Sequence, residues 1–189
     1  MVTQDNDSVC PKRLEEVTVL VDTREQYPVR FPQNIRIPDP GSGYKGRLIK
    51  VFTERKKLDA GDYCLDGYEG CCVIERKASP MELYKNLFDR KDKARQGRAL
   101  TKMVNAVEFP YLMVETSPQN ILGSQLPGDI DPEVLVGRVM GMVARYGLRL
   151  LWLPWRGSAS GRTSMGLVLV HLMVGHVLNK YYNEKPELI

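Results

Sequence analysis

Apolar residues along the chain first gather in short β-branched runs and then recur at helical spacing. Val17-Thr-Val-Leu-Val-Asp22 is dense in β-branched side chains and predicts a central strand buried on both faces. A loop marked by Pro28, Pro32, Pro38, Pro40, Gly41 and Gly43 follows. Arg47 to Thr53 alternates and predicts a second strand. Asp59-Ala-Gly-Asp-Tyr-Cys-Leu65 leads into a third, and Gly67 to Gly70 forms the hairpin turn to a partner running from Cys71 to Lys77. At Ser79 the period changes. Ser79 as N-cap, Pro80 as first helical residue and Glu82 three residues on make a capping box. The helix carries Leu83 and Leu87, breaks near Asp89 to Asp92 and continues to Val107. Phe109 to Glu115 and Leu148 to Leu153 read as strands. A helix from Asp131-Pro-Glu to about Tyr146, stopped by Gly147, separates them, and Ser164 to Tyr182 closes the chain as a helix. The order predicts an α/β sandwich around a mixed sheet, one domain over residues 16–183 between polar tails at 1–15 and 184–189.

Composition narrows the class without naming a chemistry. With 189 residues, 43% hydrophobic and 26% charged, the chain suits one buried core and is neither collagen-like nor wholly disordered. No secretory signal opens it. The apolar run Met165 to Leu178 is shorter than the ~20 residues of a spanning helix. Cys10, Cys64, Cys71 and Cys72 lack the spacing of a zinc site or a disulfide framework and read as buried thiols in a reducing compartment. The expectation is an intracellular protein with no membrane partner, cytoplasmic if microbial or phage and nuclear if eukaryotic.

Candidate chemistry collects at strand ends. Asp22 closes the first strand, Asp62 stands at the mouth of the hairpin, and Glu75-Arg-Lys77 closes its second arm. Period two puts Glu75 and Lys77 on one face and Ile74 with Cys72 on the other. Carboxylates converging beside a lysine suit a hard divalent ion, usually Mg²⁺, which keeps waters and accepts phosphate oxygens. The lysine can orient water or stabilise charge on a phosphoryl group. Any one of these residues alone is more often a solvated charge. Three in order, each behind an apolar strand, form a signal.

Val21-Asp-Thr-Arg-Glu25, Gly61-Asp-Tyr63 and Val73-Ile-Glu-Arg-Lys77, in that order, resemble the nuclease domain of the xeroderma pigmentosum group F (XPF) endonucleases. The likeness spans roughly residues 17–182. It implies a restriction-endonuclease-like, PD-(D/E)XK fold and a metal-dependent DNA endonuclease acting at branched or single-strand/duplex junctions. On that resemblance Asp62, Glu75 and the backbone carbonyl of Arg76 hold Mg²⁺ or Mn²⁺, and Lys77 is the catalytic lysine. Asp22 and Glu25 are further acids of the catalytic site. Arg24 and Arg76 support the site or contact phosphate. The family places an aspartate four positions after the lysine, where this chain has Met81, with Glu82 one later. Glu82 is then either a displaced site acid or only the helix cap. The family's helix-hairpin-helix module does not follow, so the chain resembles a stand-alone form of the kind found in phages and microbes. The resemblance also implies a homodimer formed through the nuclease domain.

Charge is modest overall and concentrated locally. Residues 85–102 hold seven basic and two acidic side chains, an excess of +5 against +4 for the whole chain. On a helix, Lys91, Arg95, Arg98 and Lys102 fall on one stripe, which reads as a phosphate contact or as a solvated face. A second basic stretch, Lys45 to Lys57, reads as the guarded edge of a sheet. Tyr27, Tyr44 and Tyr63 are candidates to stack on unpaired bases. Gly137 and Gly141 suit close helix packing, and His171 and His176, five apart, do not form a metal pair. Two rivals to a DNA endonuclease remain, a junction-binding subunit whose site has decayed and a nuclease acting on RNA. The acids and the lysine are all present, which disfavours decay.

Overall fold

A computed structural model describes residues 13–39, 43–154 and 159–182. The tail expected at 1–15 lies outside the described residues save for its last three, as do Cys10 and the 184–189 tail. The strands are β1 (Glu16–Asp22), β2 (Asn34–Asp39), β3 (Gly43–Lys56), β4 (Tyr63–Leu65), β5 (Cys72–Lys77), β6 (Phe109–Val114) and β7 (Arg149–Trp152). They form one mixed sheet in the order β2-β3-β1-β4-β5-β6-β7. β1 runs parallel to β3, antiparallel β4 stands between β1 and β5, and β5, β6 and β7 run parallel. The C-terminal ends of β1, β5 and β6 therefore face the same way. That edge is where side chains of an α/β sheet converge.

Alternation along the strands feeds two cores. Val19 and Val21 point to the face covered by the last helix, α5 (Ala159–Tyr181), while Leu20 points to the other face. There, α1 (Pro80–Phe88), α2 (Arg90–Ala106) and α4 (Pro132–Tyr146) bury Leu83, Leu100, Met103, Leu135 and Val139. Each such side chain contributes roughly 1.5–3 kcal/mol of burial. A five-residue helix, α3 (Pro118–Leu122), precedes α4.

Local chemistry sets the element ends. Ser79 Oγ accepts from the Glu82 amide at 3.2 Å and starts α1. Asp89 ends α1 with extended backbone and caps α2, accepting from the Lys91 and Asp92 amides at 2.9 and 3.0 Å. That is the expected break, and it turns the two helices without leaving amide donors unmet. Gly147 closes α4 in the left-handed region at φ 62°.

Four expectations need correction. β2 falls inside the proline-rich loop: Ile35 and Ile37 are buried and Arg36 is exposed, but the run is short and ends at Pro38. β3 is fourteen residues long and lies between β2 and β1, so its lysines do not guard an edge. Arg55 instead ties down the loop after β1, donating to the Thr23 and Glu25 carbonyls at 3.0 and 2.7 Å. α5 begins at Ala159, five residues early. Over Gly161–Tyr181 it is long and apolar enough to cross a membrane by length and composition, with mean hydropathy 1.2. Half of that stretch is buried, with Met165, Leu169, Met173 and Val177 packed into the core.

Candidate active site

Gly61 aims Asp62. Its φ is 68°, and a Cβ there would meet Val73 Cγ1 at 2.2 Å, so only glycine fits between the hairpin arms. The Asp62 amide then donates to the Ile74 carbonyl at 2.8 Å and continues the β4–β5 ladder, in which Tyr63 faces Ile74. Asp62 lies one residue before β4, next to the Tyr63–Ile74 pair, and the Glu75 charge acts on its carboxyl. The end of the hairpin therefore brings two carboxylates into electrostatic contact. Asp62 Oδ2 accepts from the Arg76 amide at 2.7 Å, and Oδ1 has no hydrogen-bond donor among the described residues. Burial first, and the Glu75 charge second, push the Asp62 carboxyl up to about 8, against the pull of the Arg76 amide and Lys77.

Lys77 is 4% exposed and reaches the same face. Its ammonium donates to Glu75 Oε1 at 2.7 Å, to Gln96 Oε1 at 3.3 Å and to Glu82 Oε1 at 3.4 Å. Burial disfavours its charge, but Glu75 and Glu82 outweigh that, and its pKa lies above the ordinary lysine value. Lys77 is therefore a fixed cation and not a proton acceptor. Glu82 Oε2 accepts from the Ala78 amide at 2.9 Å, just ahead of α1, while Oε1 accepts from Lys77 at 3.4 Å. Met81, at the family's aspartate position, is 40% exposed.

The other acids are occupied. Asp22, fully buried, receives the Arg24 guanidinium through two bonds of 2.7 Å, the Arg24 amide at 2.7 Å and the Leu58 amide at 2.9 Å. Burial raises its pKa, these donors more than reverse that, and the carboxyl settles at about 2. Glu25 Oε1 accepts from Arg76 at 2.9 Å and from the Tyr27 amide at 3.2 Å.

Arg76 corrects a reading. Its guanidinium is 6% exposed, clamped between Glu25 and Glu115, so it faces the interior and not a phosphate. Period two had already put it on the face opposite Glu75 and Lys77. Glu115, one residue past β6, and Gln96, on α2, were both missed. Glu115 ends an apolar strand as Asp22 does, and that signal was available. Gln96 donates to Glu75 Oε1 at 3.1 Å while accepting from Lys77, and nothing in its sequence neighbourhood marks it.

The basic stripe forms as expected but points outward. Lys91, Arg95, Arg98 and Lys102 are all exposed. At 100° per residue their mean direction lies roughly 130° around α2 from Gln96. Arg95 pairs with Asp92 at 2.9 Å and Lys102 with Asp59 at 3.3 Å. Tyr63 is fully buried and donates no stacking surface, Tyr27 is 66% exposed, and the side chain of Tyr44 lies outside the described residues.

Among the described residues no three His, Cys, Asp or Glu side chains form a ready metal cage. What converges is an oxygen-only set: Asp62 with one oxygen unbonded, Glu75, and the adjacent backbone. That set fits a hard ion that keeps most of its own waters, and two close carboxyl groups, one with an oxygen free of donors, are chemically suited to a cation that displaces the Asp62 proton.

The fold, a mixed α/β sheet flanked by helices, is similar to that of an XPF protein. One similar solved structure is XPF from Aeropyrum pernix, with a TM-score of 0.52 and 21% identity, covering 86% of this chain and 67% of that one. No family model and no curated protein matches the chain.

Proposed function

We propose that the chain is a divalent-metal-dependent endonuclease that hydrolyses DNA phosphodiester bonds at branched or single-strand/duplex junctions. The observation that carries this is the closeness of Asp62 and Glu75 beside a buried, protonated Lys77, on a fold similar to that of an XPF protein. Asp62, Glu75 and the Arg76 carbonyl would hold Mg²⁺ or Mn²⁺. Such an ion, when bound, supplies Lewis-acid stabilisation of phosphoryl charge and activation of water.

The remaining work falls to side chains of this chain. Lys77, held by Glu75 and Gln96, places a positive charge where a pentacovalent phosphoryl group gathers negative charge. Glu82 keeps Lys77 from turning away. Asp22 fixes Arg24 at the rim of the site, with its guanidinium side chain 66% exposed and within reach of a phosphate. Arg76, with Glu25 and Glu115, braces the strand ends from beneath. Lys91, Arg95, Arg98 and Lys102 offer phosphate contacts beyond the cut site. Self-pairing fits Leu167 and Val168, exposed on α5, and light scattering showing a monomer at micromolar concentration would remove it. The buried free thiols Cys64, Cys71 and Cys72 suit a reducing, intracellular setting.

The test uses purified protein, Mg²⁺ or Mn²⁺, and labelled fork, flap, bubble and duplex DNA, with a parallel RNA fork. The expectation is cleavage of forked DNA that Glu75→Ala abolishes. Cutting by Glu75→Ala at the wild-type rate, or binding without cutting in any metal, would sink the assignment.

A further inference from the structure

On the α1–α2–α4 side of the sheet, a cavity of about 610 Å³ opens next to the Lys77 centre and is used by no residue assigned above except Gln96. Its size lies within the range of small-ligand sites. Leu87, Leu100 and Met142 supply an apolar floor. On α4, Val134, Gly137, Arg138, Gly141 and Arg145 recur at three and four residues and so present one face to the opening.

Two independent features point to the occupant. First, three cations line the cavity, Lys93, Arg138 and Arg145, and no carboxylate does. None of the three has an ion-pair partner among the described residues; Arg138 donates to the Leu87 carbonyl at 2.9 Å and lies over the Phe88 ring at 3.9 Å. Second, Asn86 lines the cavity at 8% exposure, and its amide has no hydrogen-bond partner among the described residues. The amide atoms keep access to solvent through the opening, so a ligand in the groove can reach them.

We propose that this groove binds an unpaired nucleotide of the DNA strand being cut, with its phosphates on Lys93 and Arg145, its base on the apolar floor and its base edge on Asn86. An amide offers both a donor and an acceptor to a base edge, and stacking on an apolar floor tolerates any base. A base pair within a duplex cannot enter a cavity walled by helices on both sides, so the groove selects single-stranded segments. Gln96 joins the two sites physically: it lines the groove and hydrogen-bonds Glu75 and Lys77. The inference rests on the nuclease reading for its substrate, and it extends that reading by assigning junction preference to this groove.

Gly141 provides a clean probe. A Cβ there meets nothing within 4 Å, so Gly141→Leu fills the groove from a helix position that gains propensity and should fold. Binding of a short fluorescein-labelled oligo(dT) is followed by anisotropy in EDTA, where no cutting can occur. The expectation is that Gly141→Leu weakens binding about tenfold or more, the loss of one stacked and charge-held nucleotide. Lys93→Gln/Arg145→Gln should weaken it and lower the salt slope by about 1.4, two single-strand phosphate contacts. Lys180→Gln, on α5, should bind as wild type. Wild-type affinity in a Gly141→Leu protein with an unchanged melting temperature would overturn the groove. So would the absence of saturable oligo(dT) binding by wild type, or displacement by a poly-glutamate peptide as effective as by unlabelled oligo(dT). A chain that binds oligo(dT) through the groove but never cuts a fork leaves the groove standing and removes the nuclease; one that cuts while Gly141→Leu binds normally does the reverse.

Discussion

Two sets of carboxylates stand at the same edge of the sheet and differ in what holds them. Asp22, Glu25 and Glu115 are each met by an arginine, and Asp22 by four donors in all. Asp62 and Glu75 stand close at the end of the hairpin, Glu75 takes the buried Lys77, and Asp62 Oδ1 has no donor among the described residues. The first set has its charge fully compensated and acts as structure. The second is under-compensated and has room for a ligand. An acid inside a motif therefore says little about its role until its hydrogen bonds are counted.

The widest separation between the sets should come from neutralising each. Asp62→Asn replaces a carboxyl that holds its proton at neutral pH, so folding should be unharmed while DNA cleavage falls at least ~10³-fold, about 4 kcal/mol of transition-state stabilisation. Glu75→Gln should cut cleavage as far but also cost some stability, because Glu75 is the nearest partner of buried Lys77. Arg76→Met does the opposite. It strands Glu25 and Glu115 in the interior, and urea unfolding should show a loss of about 3 kcal/mol or more. An Arg76→Met protein as stable as wild type, or a Glu75→Gln protein that still cuts, would erase the distinction between the two sets.

How far the sequence revealed this division depends on the kind of interaction. β1 and β5 were legible because a β-branched run ending in a charge has few other solutions, and the Ser79 cap and the break near Asp89 were legible because such signals are local. The closeness of Asp62 and Glu75 followed from period two once the hairpin was placed. That period also set Arg76 on the opposite face, which suits the supporting place and not the phosphate contact, the two alternatives that the resemblance implied. β2 was hidden by Pro38 and by its length, and Glu115 and Gln96 meet Arg76 and Lys77 across 39 and 19 residues, a distance no local pattern reports. The groove at Asn86 is a property of three helices packing together.

Proton linkage separates the sets more finely. The Asp62 carboxyl titrates near 8 in the fold against 3.8 as a free group, so the folded chain binds one more proton than the unfolded chain between those values. Stability of the metal-free protein should fall as pH rises from about 4 to about 8 and then level off. A divalent ion must displace that proton. The apparent affinity for Mn²⁺ should therefore rise up to tenfold per pH unit below about 8, with proton release visible by calorimetry in buffers of different ionisation enthalpy. Asp62→Asn should abolish both trends. An Mn²⁺ affinity independent of pH between 6 and 8 would mean that the carboxylate is already charged and compensated like the others.

The smallest effect belongs to Asp22, and its sign is opposite. Arg24 and Leu58 hold the folded carboxyl at about 2 against 3.8, so its contribution is present above pH 3.8 and lost as pH falls through about 2. Asp22→Asn keeps the shape and loses the charge. It should therefore be less stable than wild type at neutral pH, and the gap should close as pH falls from about 4 to about 2. Arg24 is mostly exposed, which screens the pair and keeps the gap modest, of the order of 1 kcal/mol. Thermal melts of the two proteins across that window are sufficient. A gap that persists at pH 2 would show that Asp22 acts through its hydrogen-bond geometry alone, and a gap that widens towards acid would place it with Asp62, among the carboxylates that the fold leaves under-compensated.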